Sequence, residues 1–351
     1  MIVPAPSRIR IDRAALVSNW RWLATMSGTA ACGAAVKADG YGLGARGVVD
    51  ALSKAGCRDF FVATWGEAQA LGALPEGATL SVLHGVRAED MAYALRSPAR
   101  PTLNSTDQIN RWKAGGGGLC DVMVDTGMNR LGISEQDIAD GLLDGLAIDT
   151  LMSHLACADE DVSLNGEQKR RFAALAGATN AKRMSLANSA GICLGADFAF
   201  DLTRPGISLY GGVERAEAQP HIAQVAYPQA QVLQIRLLTA GSAIGYGQTY
   251  TAKRDIKVAI LNIGYADGYW RGFSSGDQAR GGTVRAGGAN GRVLGRVSMD
   301  LVAVSCDGMI GLREGDWITI DYHLPAASTI SGLSQYELLT GLGQRLECVW
   351  T

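Results

Sequence analysis

The sequence has almost no net charge: 32 lysines and arginines against 34 acidic residues leave a formal −2. Nothing electrostatic therefore draws it to nucleic acid or to an anionic membrane. Long hydrophobic runs are missing too, and no stretch reaches the roughly 18 uninterrupted apolar residues a membrane helix needs. The first residues, Met1 to Trp20, carry Arg8, Arg10, Asp12 and Arg13 without an apolar core. No secretory signal is expected there, and the expected location is the cytoplasm. The seven cysteines (Cys32, Cys57, Cys120, Cys157, Cys193, Cys306 and Cys348) are scattered and never form a CxxC pair. That argues against a disulfide framework or a metal site and for a reducing compartment. Most of these thiols are expected to be small buried hydrophobes.

What the sequence does have is core. With 351 residues, 47% of them hydrophobic and 19% charged, it suits one very large domain or two ordinary ones. After a short charged strand over 8–11, the spacing of Ala15, Leu16, Trp20, Leu23 and Ala24 predicts a helix over 13–26. Apolar or β-branched runs then recur near 31–37, 59–64, 79–84, 100–103, 119–125, 148–154, 183–188 and 199–204. Helix-like segments at 44–56, 65–74, 87–97, 105–114, 134–144 and 165–179 separate most of them, with Ser105 and Ser134 as helix starts. Eight strands alternating with helices predict parallel pairing, and eight is the number that closes a (β/α)8 TIM-type barrel.

From about Gln229 the texture becomes that of a mainly β domain, with strands expected over 229–238, 256–263, 291–297, 300–305 and 317–322. One helix is expected over roughly 331–342, and the glycine-rich stretch 272–291 reads as a long hairpin loop. A proline-marked joint at 215–228 separates the two parts. The expected division is thus 1–225 for the barrel and 226–351 for the C-terminal β domain, with the N-terminal strand a candidate to join the latter.

The residues with chemistry gather where the predicted barrel strands end. Lys37 closes the first, His84 the third, Asp125 the fifth, His154 the sixth and Arg204 the eighth, while Asn104 and Asn188-Ser189 follow the fourth and seventh. Barrel enzymes build their sites on that rim. A lysine leaving an apolar strand into a cleft is inclined to lose its proton, which suits a Schiff-base nucleophile. A plain surface lysine at a strand end fits the same residues. The loops Asn188-Ser189-Ala190-Gly191 and Arg204-Pro205-Gly206-Ile207 resemble the phosphate-holding loops after the seventh and eighth strands of barrels, although ordinary turn glycines and serine caps look alike. In the β part, Tyr246 and Tyr265 sit in glycine-flanked turns, and Arg296 to Asp300 crowds Arg, Met and Asp together.

In order, AVKADGYG, DTGMNRLG, SHLACADE, LANSAG, LTRPGISLYG, GYGQTY, IGYADGY, GRVSMD and QYELL run from residue 34 to 340. Together they resemble the alanine racemases, pyridoxal 5'-phosphate (PLP) enzymes with a barrel and a C-terminal β domain. The resemblance implies that Lys37 holds PLP as a Schiff base and moves the proton on the D-side. It implies that Tyr246, supplied by the partner of a homodimer, moves the proton on the L-side. Tyr41, Ser189, Gly206, Ile207 and Tyr336 match phosphate-binding positions, with Leu83 and Asn188 as further cofactor contacts. Arg204 matches the arginine facing the pyridine nitrogen, and His154 the residue beside the ring that positions it. Arg130 matches the contact to the cofactor's phenolic oxygen and the substrate carboxylate. Met299, with Asp300 beside it, matches the substrate contact from the other subunit. Asp159, Tyr265, Arg271 and Arg296 match residues lining the substrate's channel.

Three departures stand out. Met123 occupies the place where the family usually has a carboxylated lysine holding Arg130, so a bound anion or Asn129 is expected to hold it instead. Asp39-Gly40 and Leu43 replace the more usual alanine and histidine, and the segment 345–350 departs from its usual basic-aromatic form. The chemistry implied is α-proton removal on one face and return on the other, each acid/base group contributing about 10²–10⁴ in rate. An arginine at position 204 keeps its own proton and leaves the pyridine nitrogen unprotonated, favouring reprotonation at Cα over transamination. A serine-preferring racemase is one alternative, disfavoured by the Tyr336 ring. A barrel-type PLP decarboxylase would want an acid at position 204, and a single-barrel PLP carrier would lack the β domain.

Overall fold

A computed structural model describes residues 3–276 and 281–351. The chain divides into two compact units, one comprising Leu16–Gly40 and Gly44–Ala223, the other Met1–Ala15, Tyr41–Leu43 and Gln224–Thr351.

In the first unit seven parallel strands pair in chain order: Ala34–Ala35, Asp59–Val62, Thr79–Val82, Arg100–Leu103, Cys120–Met123, Ile148–Met152 and Arg183–Ser185. The expected first run, 31–37, is two short strands rather than one. Ala31–Cys32 pairs with the eighth barrel strand, Leu202–Thr203, whereas Ala34–Ala35 pairs with Asp59–Val62. Gly33 lies at the break because nothing larger fits: a Cβ there would sit 2.7 Å from both the Asp59 carbonyl oxygen and the Phe61 ring. Backbone bonds from Gly33 N–H to Thr203 O (2.9 Å), Ala35 N–H to Pro205 O (2.9 Å) and Arg204 N–H to Ala187 O (2.8 Å) close the ring.

Crossover helices span Ala45–Ala55, Trp65–Leu71, Met91–Ala94, Thr106–Ala114, Glu135–Ala139 and Ser163–Ala173. Ser105 and Ser134 cap two of them, accepting from the N–H groups of Gln108 and Asp137. The helix expected over 134–144 is shorter, because Gly141 and Gly145 take left-handed φ of 78° and 81° just beyond it. That expected over 87–97 shrinks to one turn.

Near the N-terminal ends of the strands, five charged side chains join across the barrel. Arg183 reaches Asp59 (2.8 Å) and Asp149 (2.7 Å), Arg100 reaches Asp149 (2.7 Å), and Asp121 accepts from the Ser81 hydroxyl (2.5 Å). The opposite rim is left for chemistry.

The second unit is organised on one long strand, Ala226–Leu238, buried at alternate residues along its first half. Ser7–Ile11, Ile256–Leu261 and Trp317–Ile320 all pair with it antiparallel, and Glu347–Trp350 adds in parallel outside Ser7–Ile11. The expected loop 272–291 contains two strands, Thr283–Ala286 and Ala289–Arg292, turned at Gly287-Gly288 with φ of 56° and 80°. Its residues 277–280 lie outside the described residues. The single helix expected over 331–342 is two, Leu324–Ser331 and Gln335–Thr340, parted by Gly332 at φ 75° and restarted by the Ser334 cap.

Candidate active site

The first barrel strand stops at Ala35, and Val36 extends its pairing through an N–H bond to Phe61 O (2.8 Å). Lys37 is therefore not the last strand residue but the first of an unusual turn. Ala38, Asp39, Gly40, Tyr41 and Gly42 follow with φ of 51°, 51°, 64°, 57° and 85°, five left-handed residues in a row. For each non-glycine this costs about 1–2 kcal/mol, so the surroundings must hold it. Gly40 N–H bonds Val36 O (2.9 Å), Gly44 N–H bonds Asp39 O (2.8 Å), and the Asp39 carboxylate accepts from Ala45 N–H (2.8 Å) at the head of the next helix. Burial pushes the Lys37 amine below its ordinary value; the charges of Arg130 and Arg204 push the same way, and Glu67 partly opposes them.

Arg204 is buried at the end of the eighth strand. Its guanidinium donates to Ser153 O at 2.6 Å and to the Ser185 hydroxyl. Burial lowers it to about 10, so it stays charged near neutrality. His154 is pushed down to about 3, first by burial and then by the charges of Arg204, Arg130 and Lys37, which leaves a neutral imidazole. Among the described residues no hydrogen bond joins His154 to Arg204; the Arg204 bonds go to the neighbouring Ser153 carbonyl and to Ser185. Gln168, on helix Ser163–Ala173, donates to His154 O (2.9 Å) and so anchors this stretch. Neither serine had a legible signal, since a small polar residue inside a barrel strand has no distinguishing spacing.

Ser189 opens the short helix Ser189–Cys193, which Asn188 caps by accepting from Gly191 N–H (2.8 Å). The Ser189 hydroxyl accepts from the N–H groups of Gly206 (2.9 Å) and Ser208 (3.3 Å), stitching together the loops after the seventh and eighth strands. Its own proton remains available to an anion. Ile207 follows Gly206 at the head of a 3-10 turn. Leu83 is half-buried, and its carbonyl accepts from Asn104 (2.9 Å).

Arg130 is exposed, and among the described residues it makes no hydrogen bond or ion pair. Asn129 does not hold it; that amide turns back to Gly127 O (3.5 Å). Met123 is buried in its strand. Asp125 shapes the loop instead, accepting from Gly127 N–H (2.8 Å) and Met128 N–H (2.9 Å). Asp159 lies exposed after the sixth strand.

The remaining candidates belong to the second unit. The Tyr41 and Tyr336 rings meet at 6.3 Å. Tyr246 projects from a turn whose flanking glycines, Gly245 and Gly247, have φ of 76° and 70°, and it is 69% exposed. A Cβ on Gly247 would lie 3.2 Å from the Arg296 guanidinium, so this turn rests on Arg296. Met299 is 53% exposed, and the segment around it pairs with the Tyr265 turn: Tyr265 N–H bonds Ser298 O and Ala266 N–H bonds Met299 O, each at 3.0 Å. The Arg271 guanidinium lies over the Tyr265 ring at 5.2 Å. Asp300 pairs with Arg345 at 2.9 Å.

Residues 11–214 match the family described as alanine racemase, N-terminal domain, and residues 225–350 match alanine racemase, C-terminal domain. The alanine racemase of Rhodospirillum rubrum is 41% identical, covering 97% of this chain and 95% of its own. The biosynthetic alanine racemase of Agrobacterium fabrum is 38% identical, covering 98% and 93%. Among solved structures, the alanine racemase of Bartonella henselae with covalently bound pyridoxal phosphate superposes with a TM-score of 0.88 at 34% identity, covering 99% of this chain and all of that one.

Proposed function

The chain belongs to the alanine racemase family, and we propose that it interconverts L-alanine and D-alanine with Lys37 and Tyr246 carrying protons on opposite faces of the substrate. The fold and the enzyme class, a PLP-dependent isomerase, come with the family. The donor set fits the cofactor: a lysine held below its ordinary pKa, a buried guanidinium for a ring nitrogen, and the Ser189 hydroxyl for a phosphate. Ile207 adds a backbone N–H to that phosphate site, while the Gly206 N–H holds the Ser189 hydroxyl in place. Once bound, PLP supplies the electron sink that acidifies the substrate's α-proton.

The observation that carries this reading is the fixing of Arg204 by Ser153 and Ser185. A buried guanidinium that stays charged near neutrality would donate to the cofactor's ring nitrogen while keeping its own proton, which would favour return of the proton at Cα. A decarboxylase would need an acid in its place. His154, neutral beside it, adds no competing proton donor. Lys37 then moves the proton on the D-side.

Tyr246 and Met299 are large and exposed on their own unit, and we assign both to the site of a second copy of the chain. Arg296, Tyr265, Arg271 and Asp159 line the channel, Arg130 meets the substrate carboxylate, and Asp300 supports Met299. The cofactor barrel ends at residue 225 in this reading. In the cytoplasm the enzyme then supplies or consumes D-alanine in cell-wall metabolism. The test is incubation of the PLP-loaded enzyme with each L-amino acid in D₂O, recording α-deuteration and chirality. Alanine is expected to exchange and racemise fastest; exchange with loss of CO₂, or faster serine turnover, would overturn the assignment.

A further inference from the structure

Glu67 is the third residue of helix Trp65–Leu71 and completes a capping box with Thr64: Glu67 N–H donates to the Thr64 hydroxyl at 3.2 Å. A capping box needs only one carboxylate oxygen, directed at the cap's own N–H. Here Oε2 accepts from Thr64 N–H (3.3 Å) and from Ala63 N–H (2.6 Å). Oε1 is thereby left over, and it accepts from Ala38 N–H at 2.8 Å. Ala38 is the first of the five left-handed residues, with φ 51°.

That contact falls where the chain has most to lose. Ala38 stands at the start of the turn, where, as at any helix start, the first N–H groups find no partner within the turn itself, whereas Gly40 N–H further on reaches back to Val36 O. The partner of Ala38 N–H is Glu67, which comes from the helix after the neighbouring barrel strand. The charge of the same carboxylate opposes that of Arg130 and Arg204 in its effect on the Lys37 amine.

We propose that Glu67 is a positioning residue for Lys37: its bond to Ala38 N–H fixes the turn that sets the direction in which the lysine leaves the strand, and its charge faces the amine. The proposal rests on Lys37 being the lysine that holds the cofactor.

The test uses the PLP-loaded enzyme and the variants Glu67→Gln, Glu67→Ala and Thr64→Ala. Glu67→Gln keeps one acceptor oxygen, for either Ala38 or the cap, and removes the charge, so the pH titration of the bound cofactor's visible band is expected to move to lower pH. Glu67→Ala loses the acceptor as well, and cofactor dissociation is expected to rise by up to about tenfold, the worth of one hydrogen bond. Thr64→Ala breaks the same cap without touching Ala38. It is expected to lower Tm but to leave the titration and the cofactor affinity as in the wild type. Wild-type titration and affinity in both Glu67 variants would overturn the proposal. So would a Thr64→Ala variant that reproduces their shifts, since the effect would then belong to the helix cap. Borohydride reduction and peptide mapping of the wild type separate the premise from the inference: cofactor fixed anywhere other than Lys37 would overturn the reading beneath it.

Discussion

Arg345 donates through Nε to Asp267 at 2.8 Å, and Asp267 is a carboxylate with a side chain only 3% exposed. The other carboxylate oxygen accepts from Gly264 N–H (2.9 Å), so Asp267 organises the Tyr265 turn. The same guanidinium also holds Asp300, next to Met299. One exposed arginine thus ties together the two segments assigned to the partner's substrate channel. Arg345→Met leaves a buried carboxylate without its counter-charge, a costlier loss than that of a surface pair. The expected result is a lower Tm and a KM for alanine raised more than kcat is lowered, with Arg345→Lys intermediate. Steady-state kinetics and thermal melts check it.

A second expectation concerns Arg204. Replacing it with glutamate aims a carboxylate at the Ser153 carbonyl that the guanidinium now satisfies. Only a protonated acid can donate there, and if its one proton passes to the ring nitrogen instead, that nitrogen gains the charge the guanidinium withholds from it. Racemisation is expected to fall by at least about tenfold, the low side of what one proton-controlling group contributes. Pyruvate, the transamination by-product, is expected to appear. Its absence, detected by coupling to lactate dehydrogenase, would remove Arg204 from control of the reaction's outcome.

The charged cluster at the other end of the barrel sets the pH response. Burial pushes Asp121 up to about 6, with Arg100 and Ser81 opposing the rise. Between its unfolded value near 3.8 and about 6 the native state binds the extra proton. Stability contributed by this group therefore falls as pH rises through that window, and the cost of the buried charge is fully present above it. Asp149, held low by Arg183 and Arg100 against its own desolvation, acts in the opposite sense: its stability accrues as pH rises toward its unfolded value near 3.8 and is complete above it. Asp121→Asn should cancel the first effect alone, so its Tm should climb relative to wild type between pH 4 and 6. Melting curves across that range check the sign.

The alternation of strands and helices was legible because buried parallel strands carry short apolar runs, such as Phe60-Phe61-Val62 in the strand Asp59–Val62. The rim residues followed from it, since strand ends and chemistry coincide in barrels. What escaped was local. The break at Gly33 depends on the Phe61 ring across the sheet. The strands over 283–292 are short and glycine-rich, so their pattern resembles a loop. The bonds from Arg204 to Ser153 and Ser185 join residues far apart in the chain and follow no period. Glu67 was hidden because S/T-x-x-E explains it completely as a helix cap.

The sharing of sites between two copies can be decided by mixing two inactive proteins. In Lys37→Ala the barrel side of each site is broken, and in Tyr246→Phe the donated side is broken. If Tyr246 serves the other copy, a mixed dimer places both defects in one site and leaves the second intact. Random mixing makes half the dimers mixed, so activity should recover to about a quarter of wild type. If Tyr246 acts within its own chain, every site carries one defect or the other, and no mixture recovers. The exposure of Tyr246 favours the first outcome, because a turn held in shape by Gly245, Gly247 and Arg296 presents a tyrosine rather than burying it. Unfolding and refolding the two proteins together, then assaying α-deuteration from each enantiomer, reads the result directly.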